Sequence, residues 1–165
     1  MERTLSLTAL LVVGISATAL SHPHLTKSVK ATLPTSKVEA NINYYTVPAN
    51  MTHIEKIAVG GFAPSRAVLS LSGATSSGAT SVPAGEYTIG AVRNASDWTL
   101  ALHPKLARGD QPDSSKLIRL RSSFSTSEGT AHHSDFDVMP GHGSMKGKAV
   151  LIWHFGNLYL AGALE

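Results

Sequence analysis

The stretch that decides the fold is "SVPAGEYTIGAVRNASDWTLALHP", residues 81–104. Apolar residues recur at every second position on both sides of a polar segment: Tyr87, Ile89 and Ala91 before it, and Trp98, Leu100 and Leu102 after it. A period of two is that of a strand with one face buried. The polar segment, Arg93 to Ser96, predicts a turn between the two strands. The stretch therefore predicts an antiparallel hairpin.

The same period continues outward from this hairpin. Towards the amino terminus, alternating apolar positions predict two strands joined at Pro34-Thr35-Ser36; these positions are Val29, Ala31 and Leu33, then Val38, Ala40, Ile42 and Tyr44. Towards the carboxyl terminus, four short strands are predicted, in "KLIRLR", "SDFDVM", "KAVLIWHF" and "NLYLAGAL". The last two are separated by Gly156-Asn157, which predicts a tight hairpin turn.

Two segments depart from the strand pattern. "VPANMTHIEKIA" has Asn50 or Thr52 as a candidate cap and apolar residues at helical spacing, so it predicts one short helix. "SGATSSGATSVP", residues 72–83, is polar and predicts a loop. Together these patterns predict an all-β fold: a single antiparallel β-sandwich or flattened barrel of about eight or nine short strands, with one short helix.

The first 21 residues resemble a secretory signal peptide. Arg3 precedes an apolar run, and the small residues Ala19 and Ser21 favour cleavage after Ser21. The alternatives are a cut after Ala19 or an uncleaved anchor, although the run is short for the roughly 20 residues that a spanning helix needs. We therefore expect a signal peptide over 1–21 and a single β-sandwich domain over 22–165, exported to a periplasmic or extracellular location, with no membrane span after cleavage.

Composition narrows the function classes. The formal net charge is +3, but the Lys and Arg residues are scattered, which disfavours a nucleic-acid partner. There is no cysteine, so an exported domain must be stable without disulfides. No Gly-x-Ser-x-Gly, phosphate-binding glycine loop or His-Glu-x-x-His motif occurs. These features favour a non-enzymatic binding or structural role, with a hydrolase of unrecognised site as a further alternative.

Two segments resemble a known family. Ser81–Pro104, with Pro83-Ala84-Gly85-x-Tyr87 followed by Asp97-Trp98-Thr99, and the ending "KAVLIWHFGNLYLAG" are similar to the exported bacterial family catalogued as domain of unknown function 2911. The first motif is a tight turn that leads into a strand, because Pro83 restricts φ and Gly85 is permissive. The resemblance implies a β-rich fold and export. It implies no activity, because that family has no agreed one.

A second resemblance concerns the predicted mature terminus, "HPHLTKS". It is similar to the start of periplasmic copper-resistance carriers, in which a terminal His followed by Pro helps bind copper. After cleavage, His22 would offer an amine and an imidazole, and His24 a further nitrogen. Pro23 has no amide N–H, which excludes the arrangement that uses a deprotonated second amide. The alternative function is therefore a copper-binding protein that uses His22 and His24; the other interpretation is a solvated terminus.

The remaining histidines have less specific patterns. In "HHSDFD", alternation predicts that His133, Asp135 and Asp137 share one face and that His132, Ser134 and Phe136 share the other. The first face would suit a divalent ion, but it is also typical of a solvated strand face, which we favour. His142 is predicted in a turn, and His154 as a hydrogen-bonded core residue.

Overall fold

The structure, a computed structural model, describes residues 24–165, and within them the chain forms ten strands and one short α-helix. These are β1 (Thr26–Thr32), β2 (Glu39–Tyr45), α1 (Met51–Glu55), β3 (Phe62–Leu71), β4 (Thr75–Ser77), β5 (Thr80–Val82), β6 (Gly85–Arg93), β7 (Trp98–Pro104), β8 (Ile118–Arg119), β9 (Ser122–Pro140) and β10 (Ala149–Leu164). Short 3₁₀ turns span Ser114–Lys116 and Gly143–Met145. The predicted signal peptide and His22 lie outside the described residues.

The first layer is a six-stranded sheet in the order β1-β2-β3-β6-β7-β8, with every pairing antiparallel. The predicted hairpin is confirmed as β6 and β7, in which Ile89 pairs with Leu102. Its turn is closed where the Asn94 amide donates to the Asp97 carbonyl at 2.8 Å. The predicted hairpin of β1 and β2 is confirmed as well, with Val29 opposite Ile42.

The second layer is a long antiparallel ribbon of β9 and β10. Its inner side chains bury against one face of the six-stranded sheet, so the arrangement is sandwich-like, as predicted. The fully buried apolar side chains include Leu33, Ile42, Leu69, Ile89, Leu100 and Leu102 from the first layer and its connections and Leu151, Leu160 and Leu164 from the ribbon. Burying each such side chain contributes about 1.5 to 3 kcal/mol, which accounts for the cohesion of a chain without disulfides.

The predicted turn at Gly156-Asn157 is wrong. Strand β10 runs through it without interruption from Ala149 to Leu164. Gly156 does adopt the left-handed conformation that suggested a turn, with φ 59°. The pairing with β9 shifts register on both sides of Gly156, however, so the glycine accommodates a bulge within a strand. The side chain of Met51 packs where a Gly156 side chain would lie.

The polar stretch 72–83 is also more ordered than predicted. It contains the small hairpin of β4 and β5. Its hydroxyls reach the end of the ribbon, since Ser77 Oγ donates to the Ala163 carbonyl at 2.6 Å and Ser77 is 2% exposed. Polar side chains of this kind look like a loop in the sequence, because their partners are distant in the chain.

The predicted short helix is confirmed as α1. Its cap is Asn50, whose side chain accepts a hydrogen bond from the His53 amide at 3.3 Å. Ile54 is buried and attaches the helix to the core. The segment before the helix pairs with the ribbon, because the Ser134 amide donates to the Val47 carbonyl at 2.8 Å. Among the described residues, no helix is long and apolar enough to span a bilayer.

A second apolar cluster lies on the outer face of the six-stranded sheet. Phe62, Val92 and Ala101 are buried there beneath the connection 105–117, which contributes Leu106 and Leu117. One buried histidine anchors this connection. His103 is 5% exposed; its Nδ1 lies 2.6 Å from the Pro104 carbonyl, and its Nε2 accepts from the Asp113 amide at 3.0 Å.

Candidate functional site

The candidate site is built around a bulge in β3. Pro64 pairs with Gly90 and Val68 with Thr88, so residues 65–67 of β3 face Ile89 alone. Proline has no N–H to donate to a sheet, which explains why the pairing is interrupted here. Ser65 repairs the interruption: its Oγ donates to the Ile89 carbonyl at 2.6 Å and accepts from the Ala67 amide at 3.1 Å. The bulge projects Arg66 out of the sheet.

One hollow lies on the outer face of the sheet, between this bulge and residues 106–110; we call it the outer groove. It has a volume of about 500 Å³. Arg66 and Arg108 line it from opposite elements, and both are exposed. Neither forms an ion pair within the described part of the chain. The carboxylate of Asp110 also lines the groove, but it accepts a hydrogen bond from the Ala107 amide at 2.8 Å and so shapes the loop.

Thr88 forms part of the wall of the outer groove and is 4% exposed. Its Oγ1 accepts a hydrogen bond from the Leu106 amide at 2.9 Å. Within residues 24–165 the hydroxyl hydrogen of Thr88 has no acceptor. A buried hydroxyl ordinarily donates as well as accepts. The groove wall therefore presents one unused O–H donor beside the two guanidinium groups.

A second hollow, the end groove, lies on the other side of the bulge and has a volume of about 360 Å³. Arg66 lines this groove too, together with His24, His53 and Trp153. The structure thus places the predicted ligand His24 in the lining of the same groove as His53, a residue that the sequence did not single out. His24 Nδ1 lies 3.3 Å from the Thr46 carbonyl oxygen, which favours a proton on Nδ1 and leaves Nε2 facing away from that bond.

The inner wall of the end groove is a stack of aromatic rings. Phe136 stacks on Trp153 at a centroid distance of 5.7 Å, and Phe155 contacts the same indole at 5.7 Å. The Trp153 indole N–H donates to Ser134 Oγ at 2.9 Å, and both residues are buried. An indole held by one stacked ring, one tilted ring and a hydrogen bond forms a stiff wall for this groove.

The "HHSDFD" segment lies in β9 and follows the predicted alternation in part. Ser134 and Phe136 are buried, whereas Asp135 and Asp137 are exposed. The exception is His132, predicted on the buried face but exposed, since it lies where β9 shifts register. Among the side chains that the structure describes, no group of three or more His, Asp or Glu residues is arranged to hold a metal ion.

Asp135 instead connects the two layers. Its Oδ1 accepts from the Tyr44 hydroxyl at 2.6 Å and from Lys27 Nζ at 3.3 Å. Burial, together with the hydrogen bond to the Asp135 carboxylate, raises the pKa of Tyr44 to about 12. Burial opposes ionisation of Asp135, but the Tyr44 hydrogen bond and the Lys27 charge outweigh it and lower the pKa of Asp135. The carboxylate therefore has a structural role.

The other predicted histidines lie away from both grooves. His142 precedes the 3₁₀ turn at Gly143–Met145, as predicted, and is exposed. His154 is half-buried in β10, with its ring 5.7 Å from that of Tyr159. Of the groove residues that the sequence analysis missed, only Arg66 could have been found from a local pattern, because Pro64 within a strand pattern indicates a bulge next to it.

Comparison of the chain with protein-family models, with curated proteins and with solved structures found no match. The candidate site therefore rests on its own geometry.

Proposed function

We propose that this chain is an exported, non-enzymatic binding protein that holds a small ligand at the β3 bulge. The observation that carries the proposal is that one interruption in the sheet opens a hollow on each side of Arg66. Both hollows have volumes typical of small-molecule sites. Export is inferred from the leader pattern of residues 1–21 alone.

The polar groups at the bulge support binding over nucleophilic chemistry. The Ser65 hydroxyl is bonded to two backbone groups of the sheet. The Thr88 hydroxyl is bonded to the Leu106 amide. A nucleophilic hydroxyl needs an adjacent base within hydrogen-bond reach, and the bonds of these two hydroxyls within residues 24–165 are to backbone groups. The bulge and its surroundings therefore provide hydrogen-bond donors that can bind a ligand.

The binding proposal is tested by screening the mature protein against a library of small metabolites by amide NMR. We expect ligands to perturb amides of residues 64–68, 88 and 106–110. An Arg66→Gln variant should lose these perturbations, and Arg119→Gln, an exposed arginine on β8 outside both grooves, should keep them. A library that perturbs none of these amides would contradict the proposal. Intact mass of the exported protein tests the location, with a start at His22 expected.

A second candidate is copper binding by His22 and His24, the function that the terminal sequence suggests. One observation favours it: His24 and His53 line the same groove, so this groove holds two imidazoles. Imidazole nitrogen is a good ligand for copper. The Thr46 carbonyl orients the His24 ring, as a second-shell partner does in many metal sites. His22 would complete the set with its imidazole and, after cleavage, its amine.

Copper titration separates this candidate from a solvated terminus. The emission of Trp153, which lines the end groove, can report the metal in a Trp98→Phe background. We expect His24→Ala, His53→Ala and an alanine added before His22 each to weaken binding at least about tenfold, whereas His142→Ala, in an exposed turn, should not. Equal affinity in all variants would discard the site, and loss only in His53→Ala would assign copper to the groove without the terminus.

A further inference from the structure

We infer that the outer groove binds a small organic molecule that carries an oxyanion group, phosphate or carboxylate, held between Arg66 and Arg108. This inference rests on the proposed binding function and specifies the class of ligand. Its basis is that two guanidinium groups from separate elements, the β3 bulge and the loop 106–110, line one hollow and have no carboxylate partner among the described residues.

The charges of the groove favour an anion. Two guanidinium groups are set against the single carboxylate of Asp110, which is already bonded to the Ala107 amide. Guanidinium groups match the geometry of phosphate and carboxylate oxygens, and such charge-assisted hydrogen bonds are about twice as strong as neutral ones. A cationic ligand would be repelled by both arginines, and a neutral ligand would form weaker hydrogen bonds with them than an anion does.

Thr88 supplies a third donor that does not depend on the charges. Its hydroxyl oxygen is occupied by the Leu106 amide, so its hydrogen is the part left to interact with a ligand. The side chain is 4% exposed, and the hydrogen bond to Leu106 holds it in place. An acceptor-rich group such as an oxyanion uses this donor, whereas an ammonium or an aliphatic group cannot.

The rest of the groove accommodates an apolar body. Tyr45 is 52% exposed, so its ring is available for stacking, and Pro64, Val68 and Leu106 add apolar surface. The volume of about 500 Å³ exceeds what a bare inorganic ion fills, and it lies within the usual range for small-molecule sites. The two chemistries together indicate a ring or short chain that ends in an oxyanion.

The experiment uses the mature protein and four probes: phenyl phosphate, benzoate, inorganic phosphate and phenol. Affinity is measured by amide NMR titration, which also locates the site. We expect phenyl phosphate or benzoate to bind more tightly than inorganic phosphate, because the ring adds contact with Tyr45, and more tightly than phenol, which has no oxyanion. The order of phenyl phosphate and benzoate decides between the two head groups. Added salt should weaken binding of both, because exposed charges are screened.

Variants assign the binding to the arginines. Arg66→Gln and Arg108→Gln should each lower the affinity for the better oxyanion about tenfold, as expected for loss of a hydrogen bond to a charged group. Arg66→Lys keeps the positive charge but lacks the planar guanidinium, so its affinity should lie between that of the two glutamine variants and that of the native protein. Arg119→Gln is the matched control and should not change the affinity.

The outcomes distinguish this inference from the function on which it rests. Oxyanions that bind equally well to Arg66→Gln and Arg108→Gln overturn the inference, because their site lies elsewhere. Binding of phenol alone at the groove amides overturns the oxyanion class but retains a binding protein. If no probe and no member of the metabolite library perturbs the groove, both the inference and the proposed function fail.

Discussion

Replacing Gly90 by Ala should destabilise the protein, because β3 and β6 approach too closely there for a side chain. Gly90 lies in β6 opposite Pro64, at the edge of the bulge. An added Cβ would lie 2.5 Å from the Ala63 carbonyl oxygen and 2.6 Å from Phe62 Cε2. The φ of Gly90 lies outside the left-handed region, so alanine adds no backbone strain.

The magnitude follows from two opposing effects. Overpacking costs about 1 to 3 kcal/mol, and the upper end applies because a backbone carbonyl of β3 cannot rotate away. Alanine in place of glycine offsets about 0.5 to 1 kcal/mol by lowering the entropy of the unfolded chain. The free energy of unfolding should therefore fall by about 2 kcal/mol, and Tm by about 4 to 8 °C for a chain of this size.

Urea and thermal unfolding followed by circular dichroism measure this loss. The matched control is Gly129→Ala, since an added Cβ there meets no atom within 4 Å; it should lose no stability and gain at most about 1 kcal/mol from the lower entropy of the unfolded chain. In a Phe62→Leu background, which removes the outer ring atoms, the cost of Gly90→Ala should shrink but not vanish, because the Ala63 carbonyl remains.

Equal stability of Gly90→Ala and Gly129→Ala would refute the reasoning. Strands β3 and β6 would then be farther apart than the structure places them. The bulge geometry that opens both grooves would be wrong as well, and the proposals built on Arg66 would lose their basis.

Three further predictions concern the ribbon and its contacts. Tyr44→Phe should lower the free energy of unfolding by about 1 kcal/mol at neutral pH. Because the folded-state pKa of Tyr44 is raised to about 12, the native protein should lose stability as pH rises from about 10 towards 12. An equal loss at alkaline pH in the variant would contradict this. Gly156→Ala should destabilise the protein, because Gly156 has φ 59° and the Met51 side chain occupies the space of the added Cβ. In a Met51→Ala background this loss of stability should be smaller. If the free-energy losses of the two single variants instead add in the double variant, the contact between Gly156 and Met51 is contradicted. Trp153, 3% exposed, should be shielded from iodide more than half-buried Trp98 when each is the single tryptophan of a variant, and equal quenching would contradict the buried ring stack.

Much of the fold was predictable because it is local. In β6 and β7 the alternation of apolar residues identifies the face that packs in the main core, although Val92 and Ala101 on the other face are buried as well, and the polar turn between the strands sets the pairing. Asn50 was one of two predicted caps, with Thr52, because a cap side chain bonds an amide only two or three residues away. Contacts of this kind are encoded within a few residues of one another.

The candidate site was predictable only in part. The terminal histidines drew attention to His24, but its neighbour His53 lies on α1, and nothing in the sequence relates the two. Arg66 and Arg108 belong to segments that look like an ordinary strand and an ordinary loop. They line one groove because β3 is interrupted and the connection after β7 folds back over the sheet.

The sequence by itself determined which residues face inward, since period-two alternation reports the buried side of a strand. Only the tertiary structure decided what those strands pack against and how the chain is arranged where the strand pairing shifts register. The positive φ of Gly156 suits a turn and a bulge equally, and the long pairing with β9 selects the bulge. The sequence is compatible with Asp135 on a solvated strand face or in a metal site, and neither interpretation includes its bonds to Tyr44 of β2 and Lys27 of β1. In both cases the deciding partner is distant in the chain, and local patterns carry no information about it.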